Sequence, residues 1–294
     1  MRFIVVTIAL LTAAVMALHA APAQAAGPLR IVAAENVYGG IARDIAGPAA
    51  DVVSILNSPD QDPHLFEASP AVVRQIADAH VVIFNGAHYD HWIENLLEAS
   101  PRAKRTVIEV AKLTGTKDGD NPHLWFAPET MPKVARAIAG ALAKADPANT
   151  SEYETRLTAT LASLKRVQDR AAAMRARWAG VPVTATEPVF GPMADALGLT
   201  MRNMAFQTAM MNDTEPSARD IAAFEDDLKQ RKVKVLIHNS QVSEKLTDRL
   251  VDIARKAKVP VVAVTETQPA GITYVDWILG MLGRLDKALA EPNS

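Results

Sequence analysis

The chain has 294 residues, of which 49% are hydrophobic and 22% charged, with a formal net charge of −2 and no cysteine. This length suits one large or two medium domains, each with a sizeable core. A near-neutral balance offers no basic surface for nucleic acid or an anionic membrane. The absence of cysteine excludes disulfides, thiolate metal sites and cysteine nucleophiles.

The first 25 residues have the pattern of a secretory signal. Arg2 supplies a short positive start, residues 3–18 form an apolar run, and Ala23-Gln24-Ala25 is a small-x-small cleavage site. The run is short for a membrane span, and no cysteine follows it to carry a lipid. The expectation is cleavage after about Ala25 and a soluble mature protein in the periplasm.

Short β-branched runs then alternate with helical patterns. Strands are expected over residues 29–34, 51–56, 80–85 and 106–110, then over 181–186, 199–205, 233–238 and 259–265. Helices are expected between them, over 70–79 and 90–98 in the first half and over 217–230, 244–256 and 275–289 in the second. Strand–helix alternation predicts an α/β fold of parallel sheets with helices on both faces, and four strands in each half predict two similar lobes.

No Gly/Ser linker separates the halves. Asn149, Thr150 and Ser151 are good helix caps and Gly180 a good stop. Between them Tyr153, Leu157, Leu161, Leu164, Val167, Ala171, Met174 and Trp178 recur at steps of three and four, which defines one helical face. Such a helix is roughly 40–45 Å long, enough to run along both lobes as a rigid strut that permits only small lobe motions. A coiled coil would share the spacing but does not suit a mixed α/β chain. The expected organisation is therefore a signal at 1–25, an N-terminal α/β lobe at 26–147, a connecting helix at 148–180 and a C-terminal α/β lobe at 181–294.

Ligands of open α/β sheets bind outside the carboxyl ends of the strands. Four polar residues follow such ends. His64 lies in Asp62-Pro63-His64 after the second strand, and His123 in Asn121-Pro122-His123-Leu124-Trp125 after the fourth. Glu187 ends the fifth strand in Thr186-Glu187-Pro188, and Glu266 ends the eighth in Thr265-Glu266-Thr267. Two imidazoles and two carboxylates suit a divalent transition metal. The proline before each histidine stiffens its loop and lowers the entropy cost of holding a ligand.

These residues, with Glu67, Asn85-Gly86 and Thr214-Glu215-Pro216-Ser217, resemble the metal-specific solute-binding proteins of bacterial ABC importers that take up zinc or manganese. The resemblance runs over essentially the whole mature chain. It implies two Rossmann-like lobes joined by a rigid helix, one metal in the cleft, and a membrane permease as partner. It carries the ligands onto His64, His123, Glu187 (where members have His or Glu) and Glu266 (where Asp is usual). Three departures accompany it. The loop Thr114-Gly115-Thr116-Lys117-Asp118-Gly119-Asp120 is short and lacks the histidines frequent in zinc importers. Asn239 falls where Glu is frequent, and Ala127 where Asp is, which would thin the groups that orient the ligands.

The expected function is capture of one divalent ion, Mn²⁺ or Zn²⁺ with Fe²⁺ as a third candidate, by a monomer that has no enzymatic activity. Two other classes compete. A zinc hydrolase would need an open coordination position for water. A metal-chelate binder would want several arginines or aromatics, and only 5% of the chain is aromatic. Among other residues, His88 and His91 are read as auxiliary ligands or a solvated helix start, and His238 as a structural residue beside the cleft. His80 is placed at a strand start far from the rim. Met201, Met204, Met210 and Met211 are read as packing for the sixth strand and its loop, and Arg170, Arg175 and Arg177 as the wet side of the long helix.

Overall fold

The computed structural model describes residues 27–58, 66–241 and 244–292. The expected signal over residues 1–25 and the loop of residues 59–65, with His64, lie outside the described residues.

Each half of the chain forms a four-stranded, wholly parallel sheet. The first comprises β1 (Leu29–Glu35), β2 (Ala50–Leu56), β3 (Val81–Phe84) and β4 (Thr106–Glu109), in the order β2-β1-β3-β4. The second comprises β5 (Pro182–Ala185), β6 (Thr200–Arg202), β7 (Leu236–Asn239) and β8 (Val261–Val264), in the equivalent order β6-β5-β7-β8. In both, the central strands are those between which the chain reverses its direction of winding. The carboxyl ends of β1 and β3, and of β5 and β7, therefore flank the crevice that this topology reserves for ligands.

Helices fill the connections. The N-terminal half carries α1 (Asn36–Ala46), α2 (Pro70–Asp78), α3 (His91–Ala99), α4 (Val110–Thr114) and α5 (Thr130–Ala145). The long helix α6 (Thr150–Trp178) follows, and the C-terminal half carries α7 (Gly191–Ala196), α8 (Met204–Met211), α9 (Ala218–Lys229), α10 (Lys245–Lys256) and α11 (Tyr274–Ala290). Their starts have local causes. Ser69 and Ser217 accept hydrogen bonds from the backbone N–H of Val72 and Asp220, and Pro70 opens α2 with the φ a helix needs. The expected sixth strand stops early, at Arg202. Asn203 takes a left-handed φ of 58° with its Oδ1 bonded by the Thr184 hydroxyl, which turns the chain into α8. Met201 and Met210 pack as expected, whereas Met204 is exposed.

Strand residues alternate between the two faces of each sheet. Ile31, Ala33, Val81 and Ile83 point to one buried cluster, while Val32, Ala34, Val82 and Phe84 point to another under α2 and α3. The first of these clusters continues without a break through Leu164, Val167, Ala171 and Met174 of α6 to Val262 and Val264 of the second sheet. The two lobes thus share one core along the inner side of the 29-residue helix, which is what makes the joint stiff. The helix face expected from the spacing is the buried one. The arginine cluster lies on the wetter side of the helix, as expected, but its members are also bound. Arg170 and Arg177 bind Asp286 on α11 at 2.9 and 3.0 Å, and Trp178 Nε1 donates to the same carboxylate at 2.6 Å. Arg175 donates to the carbonyls of Asp195 and Ala196 after α7. These contacts pin the end of the strut to the C-terminal lobe.

Candidate metal centre

The carboxyl ends of both sheets face each other across a narrow, closed cleft. His123 sits between Pro122 and a short 3-10 turn at Leu124–Phe126. Glu187 follows β5 by two residues in extended backbone and Glu266 follows β8 by two. His123, Glu187 and Glu266 are 1%, 9% and 2% exposed, far too dry for three polar side chains without partners of high value.

Asn121 aims the His123 ring. Its Oδ1 accepts from the ring Nδ1 at 2.8 Å and from the His123 backbone N–H at 3.1 Å. Its Nδ2 donates to Pro188 O across the cleft at 2.7 Å, which fixes the amide's orientation. Nδ1 then carries a proton, which leaves Nε2 as the ring nitrogen available to a cation. That Nε2 is buried and has no hydrogen-bond partner among the described residues. It lies 3.4 Å from Glu266 Oε1, itself an acceptor. An imidazole nitrogen and a carboxylate oxygen brought this close from opposite lobes are a donor pair suited to one divalent cation. Tyr89 and Trp125 wall the ring in, with centroids 5.9 and 5.5 Å from His123.

Tyr89 also reaches over the cleft, donating its hydroxyl to Glu266 Oε1 at 2.7 Å. On the C-terminal side, Asn239 at the end of β7 donates through Nδ2 to Glu187 Oε2 at 3.0 Å and to Glu266 Oε2 at 3.4 Å. Its Oδ1 accepts from the Gln241 backbone N–H. Asn239 therefore joins the two carboxylates; it does not thin their support. Further hydrogen bonds tie the lobes at the same level. Asn36 Nδ2 donates to Gln268 O at 2.6 Å, and Tyr274 donates to Trp125 O at 2.7 Å.

Tyr89 owes its position to an unusual turn. Gly86, Ala87 and His88 take φ of 76°, 52° and 63° in succession. Each non-glycine residue there costs about 1–2 kcal/mol, so neighbouring groups must hold the turn. Asp90 does so, accepting from the backbone N–H of Asn85 at 2.6 Å and of Gly86 at 2.8 Å. Asn85 in turn accepts from Tyr38 at 2.6 Å and donates to Pro122 O at 2.8 Å, which braces the His123 loop.

The structure brings His123 and Glu266 together and links Glu187 to them through Asn239. His64 lies outside the described residues. Among those residues no three His, Asp or Glu side chains converge as a complete ion shell would. Strand-end reasoning found these acidic and imidazole groups but passed over Glu35, Asn36, Asn85 and Tyr89. The first three directly follow or end the central strands β1 and β3, so the same rule applied to every strand end would have found them. His88 is exposed, 3.5 Å from Asp118, and His91 begins α3 at the surface. His80 precedes β3 and its Nδ1 accepts from Arg30 N, at the opposite end of the sheet. His238 lies on the outer face of β7, lining a groove with Arg255, Lys258 and Val261, and not on the Asn239 face.

No helix of the described residues is long and apolar enough to cross a membrane. The chain is 24% identical over 260 residues to the high-affinity zinc uptake system protein ZnuA of Bacillus subtilis (strain 168), covering 81% of this chain and 80% of that one. It is 23% identical over 287 residues to the manganese ABC transporter substrate-binding lipoprotein PsaA of Streptococcus mitis, covering 90% of each. The fold superimposes on the periplasmic zinc binding protein TroA of Treponema pallidum with a TM-score of 0.73 at 21% identity, over 90% of this chain and 100% of that one. A family model described as ZnuA, zinc-uptake complex component A, periplasmic, matches residues 31–288. With that match over most of its length, and with the paired sheets and the strut in place, the chain belongs to the ZnuA family.

Proposed function

We propose that this chain is the extracytoplasmic binding component of an ABC importer, which takes up one bare divalent transition-metal ion and presents it to a membrane permease. The observation that carries the reading is the buried Nε2 of His123, which has no hydrogen-bond partner among the described residues and lies 3.4 Å from Glu266 Oε1 of the opposite lobe. In this reading His64, His123, Glu187 and Glu266 are the ligands, and the ion ties the lobes together. Direct contacts between the lobes at Asn36, Asn121 and Tyr274 draw the strand-end rims together, which favours a bare ion over an organic chelate. The family is one of uptake components, so in this reading the chain works as a carrier and not as an enzyme. All four proposed ligands lie in one chain, so this reading needs no second subunit.

Cleavage after about Ala25 and release of a mature chain with lobes at 26–147 and 181–294 complete the proposal. Two nitrogens and two carboxylates make a hard set, favouring Mn²⁺ as the cellular cargo, although Zn²⁺ binds most sites more tightly. Native mass spectrometry of untagged protein purified without chelator should show one bare metal ion. Calorimetry should show that His64→Ala and His123→Ala each lower Mn²⁺ and Zn²⁺ affinity at least tenfold while the metal-free chain still folds, His123→Ala with a lower melting temperature because it empties a buried site and strands the Asn121 acceptor. An organic adduct, or unchanged affinity in both variants, would overturn the reading.

A further inference from the structure

Below the candidate metal centre two carboxyl groups are buried side by side. Glu35 ends β1 and Asp90 precedes α3; they are 4% and 0% exposed. Asp90 is satisfied as a carboxylate, one oxygen on the Asn85 N–H and the other on the Gly86 N–H. Glu35 differs. Neither of its oxygens meets a donor among the described residues, and the polar group beside it is the Asp90 carboxyl. Two acceptors in contact are joined only by a proton. Two groups that face the pair are phenols, Tyr38 of α1 and Tyr89 of the turn, each pushed upward first by burial and so neutral. Burial, and then the Asp90 charge, push Glu35 well above the usual carboxylate range. Asp90 is raised by burial but held down by its two backbone donors and by Glu35. The shared proton therefore rests on Glu35.

We propose that Asp90 and Glu35 form a proton-sharing pair that positions the cargo site: Asp90 clamps the left-handed turn at residues 86–88, and Glu35 donates the proton that keeps the pair at one negative charge. The clamp matters for cargo because the turn delivers Tyr89 to Glu266 Oε1, the oxygen that faces His123. Loosening the turn frees Glu266 to swing away from the lone pair opposite it. The inference rests on the proposed transport reading for its cargo, but the proton on Glu35 is a property of the folded chain alone.

The test compares wild type, Glu35→Gln and Asp90→Asn as full mature chains. Gln keeps the shape of Glu35 and a donor for Asp90, so Glu35→Gln should bind Mn²⁺ and Zn²⁺ within about twofold of wild type. Asp90→Asn turns a donor towards backbone N–H groups and should lose about tenfold in affinity, the lower end of what an outer supporting group contributes. Infrared difference spectra of Glu35→Gln against wild type at pH 7 should show loss of the C=O stretch of a protonated carboxylic acid. Should Asp90→Asn not fold, the infrared comparison and the Glu35→Gln titration still decide. The inference is overturned by absence of that band, by wild-type affinity in Asp90→Asn, or by Glu35→Gln binding as poorly as a loosened site. A wild-type chain that binds neither ion overturns the transport reading instead, and leaves the infrared result standing.

Discussion

Replacing Asn121 isolates the aim of the His123 ring from the ligand itself. Alanine at this position removes the acceptor for Nδ1–H at 2.8 Å, the acceptor for the His123 N–H at 3.1 Å and the donor to Pro188 O at 2.7 Å. Each such bond contributes about 0.5–1.5 kcal/mol net, so the metal-free chain should lose on the order of 2–3 kcal/mol. At roughly 2–4 °C per kcal/mol for a chain of this size, the melting temperature should fall by about 5–10 °C. Metal affinity should fall independently. Without its partner the imidazole populates both tautomers and both ring orientations, and loss of such an orienting group costs about 10–100-fold, or roughly 1.4–2.7 kcal/mol.

Asn121→Asp separates the two effects. It keeps an acceptor for Nδ1–H while losing the donor to Pro188 O, so it should melt lower than wild type yet bind metal better than Asn121→Ala. Calorimetry with Mn²⁺ and Zn²⁺, together with ¹⁵N NMR of the His123 ring nitrogens, measures affinity and tautomer side by side. If Asn121→Ala leaves both the affinity and the tautomer ratio untouched, Nε2 is not the coordinating nitrogen and the argument from its availability to a cation fails.

Glu187→His replaces a hard oxygen with an imidazole nitrogen and should shift relative affinity towards Zn²⁺; a Mn²⁺ to Zn²⁺ affinity ratio equal to wild type would show that Glu187 is not a ligand. The buried acid gives a pH signature. Because burial raises Glu35 in the native state, the folded chain keeps a proton that the unfolded chain releases, so this group lowers stability as pH rises above the ordinary Glu value of about 4.3. Glu35→Gln has no such proton. Its melting temperature should exceed that of wild type by a margin that is smallest near pH 4 and grows towards pH 8. A margin independent of pH would mean that Glu35 titrates like an exposed carboxyl.

Much of the architecture was readable because it rests on local periodicity. The α6 face from Tyr153 to Met174 follows a three-and-four spacing that a helix satisfies, and most of the strands are short apolar runs rich in β-branched residues, β6 (Thr200–Arg202) being the exception. The strand ends were readable for the same reason. The sequence concealed what depends on contact between distant segments. Nothing local marks Tyr89 as the partner of Glu266, which lies 177 residues away. The two histidines flanking Tyr89 drew attention through their chemistry, yet the left-handed turn exposes His88 and turns Tyr89 inward. Arg170 and Arg177 do lie on the wetter side of α6, but nothing local marks Asp286, on another helix, as their partner.

The departures from the family pattern gain sense only when they are taken together. Glu266 in place of Asp carries one more methylene, which alone would add a rotatable bond and blur the position of its oxygens. Here both oxygens are held, Oε1 by Tyr89 from the N-terminal lobe and Oε2 by Asn239 from β7. Asn239 in place of Glu removes a charge beside two carboxylates that would repel it, and supplies a donor that both can share. A Glu at that position would bring a third acceptor against Glu187 and Glu266, with a buried charge to neutralise. The longer Glu266, the amide of Asn239 and the phenol of Tyr89 therefore form one consistent arrangement, in which each oxygen of Glu266 has its own donor.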